Sequence, residues 1–297
     1  MFTLKEFYQK YPVQTMKQGN KNFTYRYYKS PKGKATLVLL TGGIGLSDLF
    51  YLHFERFAGE FSVLTFDYQM DYADNREFAD GVAKLLSFLG IRAWLVGQSL
   101  GGIVAQIIAK QHPEVVEGLV LSNTCSLAKD MGQDAYGHLM NMIANQQKSK
   151  KLLKLIPFSL YKKLIKNVVM KKKTTDFTVE EKNLMDGLCD AMLTLLTKPY
   201  ELHMIDFLID AQNHFGMVPE DFTRWDGKVL LLLSEDDDTF SQPVKDSLVA
   251  IMPHPTVITS ITGGHLALLI RLDKYAQIVT GFIEEREGQE KGVKENA

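Results

Sequence analysis

One serine in this chain stands where it could act as a nucleophile. Ser99 lies between two glycines in Gly97-Gln98-Ser99-Leu100-Gly101. The apolar run 93–96 before it predicts a buried strand. The spacing of Ile103, Val104, Ile107 and Ile108 after it predicts a helix. A serine at such a junction fits a nucleophile elbow, a sharp turn with the hydroxyl at its tip. Strand and helix then run so close that a side chain at Gly97 or Gly101 would clash. The start of the helix favours negative charge that develops beside it. An ordinary glycine-rich turn is the competing reading.

A serine hydroxyl is a weak nucleophile until a base takes its proton and a third group holds the base. In a doubly wound sheet, reactive groups gather at the carboxyl ends of the strands. The strand-like run 228–233 is followed by Ser234-Glu235-Asp236-Asp237-Asp238, and the run 256–261 by Thr262-Gly263-Gly264-His265. The order serine, aspartate, histidine is the one that accompanies an elbow serine. Ser99 is therefore expected to attack a carbonyl, and His265 to take its proton and return it to the leaving group. Asp237 is expected to fix the histidine tautomer and stabilise the imidazolium. Asp238 and then Asp236 are the alternative acids. At least two of the four carboxylates in 235–238 are expected to be plain turn residues in solvent. Gly263 and Gly264 let the histidine loop approach another backbone closely.

A tetrahedral intermediate needs donors for its oxyanion. The N–H of Leu100 is one candidate. The N–H of Gly43, in Thr41-Gly42-Gly43-Ile44-Gly45, is the other. That loop lacks the glycine spacing of a dinucleotide fingerprint, and no His/Cys/Asp cluster has ligand spacing, so neither cofactor nor metal is expected. His53, His112, His138, His203, His214 and His254 are expected to be structural.

The elements that must position these groups follow a simple rhythm. Residues 23–28 alternate and read as an opening strand, and Ser30-Pro31-Lys32-Gly33 as the turn after it. The runs 36–40, 61–66, 93–96, 118–122, 228–233 and 256–261 read as strands covered on both faces. A helix is expected over 48–58. Another starts at Asp74, runs through Phe78, Val82, Leu85, Leu86 and Leu89, and stops at Gly90. The last helix is expected over 266–283, with a frayed tail from Glu284. Alternating strands and helices predict an α/β fold with a doubly wound, mostly parallel sheet. Residues 126–227 break the rhythm with several helices and no clear strand. They are expected to form a helical lid over a core made of 1–125 and 228–297.

Together these motifs resemble the α/β-hydrolase fold superfamily, across about 36–125 and 228–283. The carriers are Leu39-Leu40-Thr41-Gly42-Gly43, the Gly97–Gly102 elbow, Ala105 and Ala109 with His112-Pro113-Glu114, Gly118-Leu119-Val120-Leu121, Glu235-Asp236-Asp237 and Gly264-His265. The resemblance implies a Ser99-Asp-His265 triad, an oxyanion hole at Gly43 and Leu100, and a lid that shapes the substrate pocket. Thr41 stands where the superfamily commonly has histidine. Asp67-Tyr68-Gln69-Met70-Asp71-Tyr72 replaces the frequent Asp-x-Arg-Gly motif. The stretch 71–78 is faintly similar to the maspardin branch, which implies ligand or partner binding as the alternative to turnover.

The composition narrows the function further. A net charge of −1 over 297 residues offers no global field for nucleic acid. Two cysteines, Cys125 and Cys189, far apart in sequence, suit a reducing compartment. No signal pattern or membrane-length apolar run is present, so a cytoplasmic protein is expected. Between Lys148 and Lys173 the chain carries ten lysines and no acidic residue. The simpler reading is lid helices with a wet face. The sharper one is contact with a membrane surface or an anionic acyl substrate. The expected function is a serine hydrolase that cleaves a carboxylic ester through an acyl-enzyme, its partner a small acyl substrate. Thioesterase, C–C hydrolase and aminopeptidase are the alternatives. The last would draw on lid carboxylates such as Glu180, Glu181, Asp186 or Asp190.

Overall fold

Strands buried on both faces are written as continuous apolar runs, and the runs of this sequence build one sheet. The computed structural model describes residues 2–171 and 177–295. In chain order its elements are α1 (Leu4–Lys10), β1 (Gln14–Gln18), β2 (Lys21–Tyr28), β3 (Thr36–Leu40), α2 (Tyr51–Ala58) and β4 (Ser62–Thr65). Next come α3 (Asn75–Leu89), β5 (Ala93–Gln98), α4 (Leu100–Gln111) and β6 (Val116–Ser122). The helices α5 (Gln133–Leu155), α6 (Phe158–Lys171), α7 (Val179–Leu195) and α8 (Lys198–Asp210) follow. The chain closes with β7 (Val229–Leu232), α9 (Gln242–Ile251), β8 (Thr256–Ile258), α10 (Ala267–Ile270) and α11 (Leu272–Glu295).

The strand order is β1-β2-β4-β3-β5-β6-β7-β8. The pairs β1/β2 and β2/β4 are antiparallel, and every pair from β4 to β8 is parallel. Side chains alternate between two cores. Val38, Leu40, Leu95, Leu119, Leu121 and Leu231 face a cluster that includes α3, α4 and α9 residues. Leu37, Leu39, Trp94, Val96, Val120, Leu230 and Leu232 face one built with α2 and α11. Trp94 fits because Gly118 on the adjacent strand has no side chain: a Cβ there would sit 2.2 Å from the indole. Each fully buried Leu or Val contributes about 1.5–3 kcal/mol, so these alternating rows hold the strand ends in place.

Asp74 caps α3 by accepting from the Glu77 N–H at 2.8 Å, and Gly90 ends it in the left-handed region at φ +65°. Several expectations need correction. Residues 48–58 are not one helix: a 3₁₀ turn, Ser47–Phe50, leads into α2. The last strand stops at Ile258 rather than at 261. The final helical stretch is split at Arg271 into α10 and α11. The tail does not fray at Glu284, because Lys34 pairs with Glu284 at 2.6 Å and Arg286 Nε donates to the Gly227 carbonyl at 2.8 Å. The chain leaves the sheet after β6, and α5–α8 form a helical insertion before β7. No helix among the described residues is long and apolar enough to cross a membrane.

Candidate active site

The elbow at Ser99 follows from steric necessity. Ser99 has φ +53° and ψ −117°, a sparsely populated conformation costing about 1–3 kcal/mol. Its N–H donates to the Ser122 carbonyl at 3.0 Å, and its carbonyl accepts from Thr124 Oγ1 at 2.6 Å. A Cβ at Gly97 would lie 2.3 Å from the Gly101 carbonyl oxygen, and one at Gly101 would lie 2.0 Å from that of Leu40. Both are backbone contacts, so neither position admits a larger residue. Leu100 opens α4. Among the described residues, the N–H groups of Leu100 and Gly43 have no hydrogen-bond partner. Gly43 and Ser99 line the same cavity.

His265 sits on the 3₁₀ turn Gly264–Leu266 beyond β8. Gly263 and Gly264 precede it at φ +130° and +65°. The close approach is confined to Gly263, where a Cβ would be 3.1 Å from Ala267 Cα. His265 Nδ1 donates to Asp237 Oδ2 at 3.0 Å. The Asp237 side chain is wholly buried, and its Oδ1 accepts from the Thr239 N–H at 2.8 Å. Burial pushes this carboxyl up. The bond from His265, the imidazole charge, the Thr239 N–H and the nearby Lys245 outweigh burial and hold it below the usual carboxylate range. Of the three candidate acids, the structure therefore brings Asp237 to the histidine. Asp236 Oδ2 instead accepts from the Gly263 N–H at 2.9 Å and braces the histidine loop. Asp238 is exposed.

Three polar residues to which the sequence motifs assign no role complete the scaffold. Asn123 Nδ2 donates to Ser234 Oγ and to the Gly264 carbonyl, each at 3.0 Å, while its Oδ1 accepts from the Ser234 N–H at 2.8 Å. It ties the ends of β6 and β7 to the histidine loop. Lys245 on α9 is buried and donates to the carbonyls of Ser234 and Asp237 at 2.8 and 3.0 Å. Gln98 Nε2 lies 3.3 Å from both His265 Nε2 and the His265 carbonyl. Gln98 also crowds Gly42, where a Cβ would be 2.3 Å from Gln98 Oε1 and would push that amide aside. A polar residue directly after a buried strand run was the available signal for Asn123 and Gln98.

Ser99, Gly43 and His265 line one cavity of about 340 Å³. The insertion roofs it with Tyr161, Ile165, Val169, Met185, Leu188 and Met192. Two of the insertion's methionines thus face the cavity, and a third, Met204, packs on Gly45. One end of the cavity is polar. Tyr161 donates to Glu201 Oε1 at 3.1 Å, and burial raises the carboxyl of Glu201. Glu201 is the insertion carboxylate that lines the cavity. The four carboxylates named from the sequence do not: Glu181 pairs with Arg271, Asp186 and Asp190 pair with Lys166, and Glu180 is exposed.

The insertion also steadies the Gly43 loop, as Tyr200 donates to the Gly45 carbonyl at 2.8 Å. Asp67 Oδ1 accepts from the Ser47 N–H and hydroxyl, both at 2.7 Å, just beyond that loop. Thr41 is buried, its hydroxyl unpartnered among the described residues. The other histidines lie elsewhere. His112 pairs with Asp80, His214 with Asp210 and His254 with Asp226. His138 bonds the Thr239 carbonyl, and burial lowers the pKa of both His53 and His203.

The sequence matches no protein-family model and no curated protein. Solved structures do match. MGS-M2, an alpha/beta hydrolase enzyme from a Medee basin deep-sea metagenome library, superposes with a TM-score of 0.72 at 16% identity. The match covers 91% of this chain and 97% of that one. MenH from S. aureus gives 0.69 at 19% identity, over 89% and 98% of the two chains. A structure from work on carboxylesterases of the Thaumarchaeon Nitrososphaera gargenis gives 0.71 at 16%, over 93% and 100%. This chain has the α/β-hydrolase fold. Within that fold, the elbow lies between β5 and α4, the acid loop follows β7, and the histidine loop follows β8.

Proposed function

We propose that this α/β-hydrolase-fold protein is a serine hydrolase that cleaves a carboxylic ester through an acyl-enzyme. The observation that carries the reading is the His265–Asp237 bond, made to a wholly buried carboxylate, with Ser99 on the wall of the same cavity. Ser99 Oγ attacks the substrate carbonyl and its proton passes to His265 Nε2. Asp237 keeps the Nδ1 proton in place and stabilises the imidazolium. The N–H groups of Gly43 and Leu100 receive the oxyanion. His265 then protonates the leaving alcohol, and water, deprotonated by the same histidine, releases the acid. The cavity's apolar wall suits a small or medium apolar acyl group, with Glu201 and Tyr161 beside a polar substituent. Thioester, C–C and aminoacyl substrates would use the same nucleophile.

A second reading rests on Gln98. Among the described residues, Ser99 Oγ has no hydrogen-bond partner, and the contact at His265 Nε2 comes from Gln98. A bond of 3.3 Å is long for this type and yields readily, and such contacts often tighten only with substrate bound. A protein that holds Nε2 this way permanently would bind a ligand or protein partner without turning it over. Labelling with a fluorophosphonate, followed by peptide mapping, tests the choice. Modification of Ser99 in the wild type, abolished in His265→Ala, together with a burst from p-nitrophenyl butyrate that Ser99→Ala lacks, supports the hydrolase. Intact protein that is neither labelled nor active overturns it in favour of binding.

A further inference from the structure

Helix α6 is apolar on two sides. Tyr161, Ile165 and Val169 face inward and line the cavity. Leu160, Leu164 and Val168, one position earlier in each turn, face outward and are 47%, 42% and 59% exposed. Lys163 and Asn167 are exposed on the same outer stripe. Just before Pro157, Leu152 and Leu155 at the end of α5 are also exposed, Leu155 at 83%, with exposed Lys151 and Lys154 beside them. A helix in water hides one apolar face and wets the other. A contiguous exposed apolar strip marks a surface that something covers.

The charge around the strip identifies what could cover it. Lys150 is paired with Asp206, and Lys166 with Asp186 and Asp190. Among the described residues, the exposed Lys151, Lys154 and Lys163 have no ion pair, while Lys162 lies over the Phe158 ring. Lys172 and Lys173, which belong to the same basic stretch, lie outside the described residues. A second copy of this chain, brought up by a two-fold axis, would set lysines against lysines. An anionic surface meets both the charge and the grease: basic residues on the phosphates, aliphatic ones at the headgroup–acyl boundary.

We propose that the outer face of α6, with the end of α5, docks on an anionic lipid surface. Leu152, Leu155, Leu160, Leu164 and Val168 enter the boundary, and Lys151, Lys154 and Lys163 contact the headgroups. The docked helix is the one whose inner side walls the cavity, so the cavity then lies one helix away from the lipid. The docking does not depend on the serine chemistry.

The test is co-sedimentation of the full chain with phosphatidylcholine vesicles, with and without phosphatidylglycerol. The expected result is binding about tenfold or more tighter to the anionic vesicles, weakening as salt screens the lysines. L160Q/L164Q/V168Q and K151E/K154E/K163E should each fall to the level seen on neutral vesicles, with circular dichroism unchanged. L155Q, at a position too exposed to disturb packing, should weaken binding several-fold by itself. Equal binding to both vesicle types, no binding to either, or undiminished binding by the charge-reversal variant overturns the proposal. So does a wild-type dimer that L160Q/L164Q/V168Q dissociates in the absence of lipid.

Discussion

His53 offers the sharpest test of how the histidine loop is held. It is 3% exposed, and its Nε2 donates to the Leu268 carbonyl at 3.1 Å, three residues beyond His265. Its Nδ1 is buried without a partner among the described residues. Burial lowers its pKa from 6.5 to about 4, partly opposed by the bond to Leu268. The folded pKa thus lies below the unfolded one. Well above pH 6.5 the ring is neutral in both states and contributes no pH dependence. As pH falls, the unfolded chain takes up a proton that the folded chain refuses, so stability is lost. With 1.36 kcal/mol per unit, the loss reaches about 3 kcal/mol once both states are protonated, and about 2 kcal/mol of it develops between pH 7 and 5. In His53→Gln an uncharged amide donates to Leu268 and this titration is gone. Urea unfolding of both proteins at the two pH values is the assay. The wild type should lose about 2 kcal/mol more than the variant over that interval. Equal losses, or a histidine resonance assigned to position 53 that titrates near 6.5, would refute the reasoning.

Four other outcomes follow from the same structure. Asp237→Asn should lower kcat for an activated ester by about 10³–10⁴-fold with little change in KM, because an amide supports the wrong tautomer. Lys245→Met leaves two buried carbonyls without their donor, at about 1–3 kcal/mol each. The urea midpoint should drop accordingly, and the acid limb of kcat/KM should move up in pH as Asp237 loses a nearby charge. Gly101→Ala should cost more than about 4 kcal/mol or prevent folding, since its Cβ meets the backbone of Leu40 and Thr41. Glu201→Leu should shift the ratio of kcat/KM toward plain alkyl esters over hydroxyalkyl esters of the same length, by about fivefold or more.

Much of the architecture was legible because a central parallel strand has no wet face. Leu37 to Leu40 and Leu230 to Leu233 are apolar at every position, a pattern that neither a loop nor an amphipathic helix writes. Edge strands are different. β1 reads Gln-Thr-Met-Lys-Gln, with only Met16 buried, since an exposed edge carries polar residues. α1 is too short to show a period and is held by the Thr3–Glu6 capping box. The site divides the same way. Ser99 and His265 were readable because their flanking glycines announce tight backbone. Asp237 could be ranked above Asp236 and Asp238 only weakly, because register within an acidic turn is set by tertiary contacts such as the Lys245 clamp. Glu201 was unreadable, since nothing in Lys-Pro-Tyr-Glu-Leu distinguishes a carboxylate that faces a cavity from one that faces solvent.

The energetics of Asp237 bear on what the site is for. A fold of this size does not need a carboxylate at the end of β7. Taking such a group out of water costs several kcal/mol, and an apolar residue of similar volume is often neutral or stabilising in its place. Here the cost is met by bonds from His265 and the Thr239 N–H, with a buried lysine holding the loop backbone behind it. Asn123 and Asp236 fix the opposite loop, so the imidazole has little freedom about the Asp237 bond. A ring oriented from behind, with Nδ1 committed to Asp237, on the wall of a cavity that the strained Ser99 also lines, suits the proposed transfer of a proton to Nε2. The proposed hydrolysis requires that orientation, whereas ligand binding alone does not. In the proposed hydrolase, the Gln98 contact is the resting partner of that lone pair and the Ser99 hydroxyl its working partner.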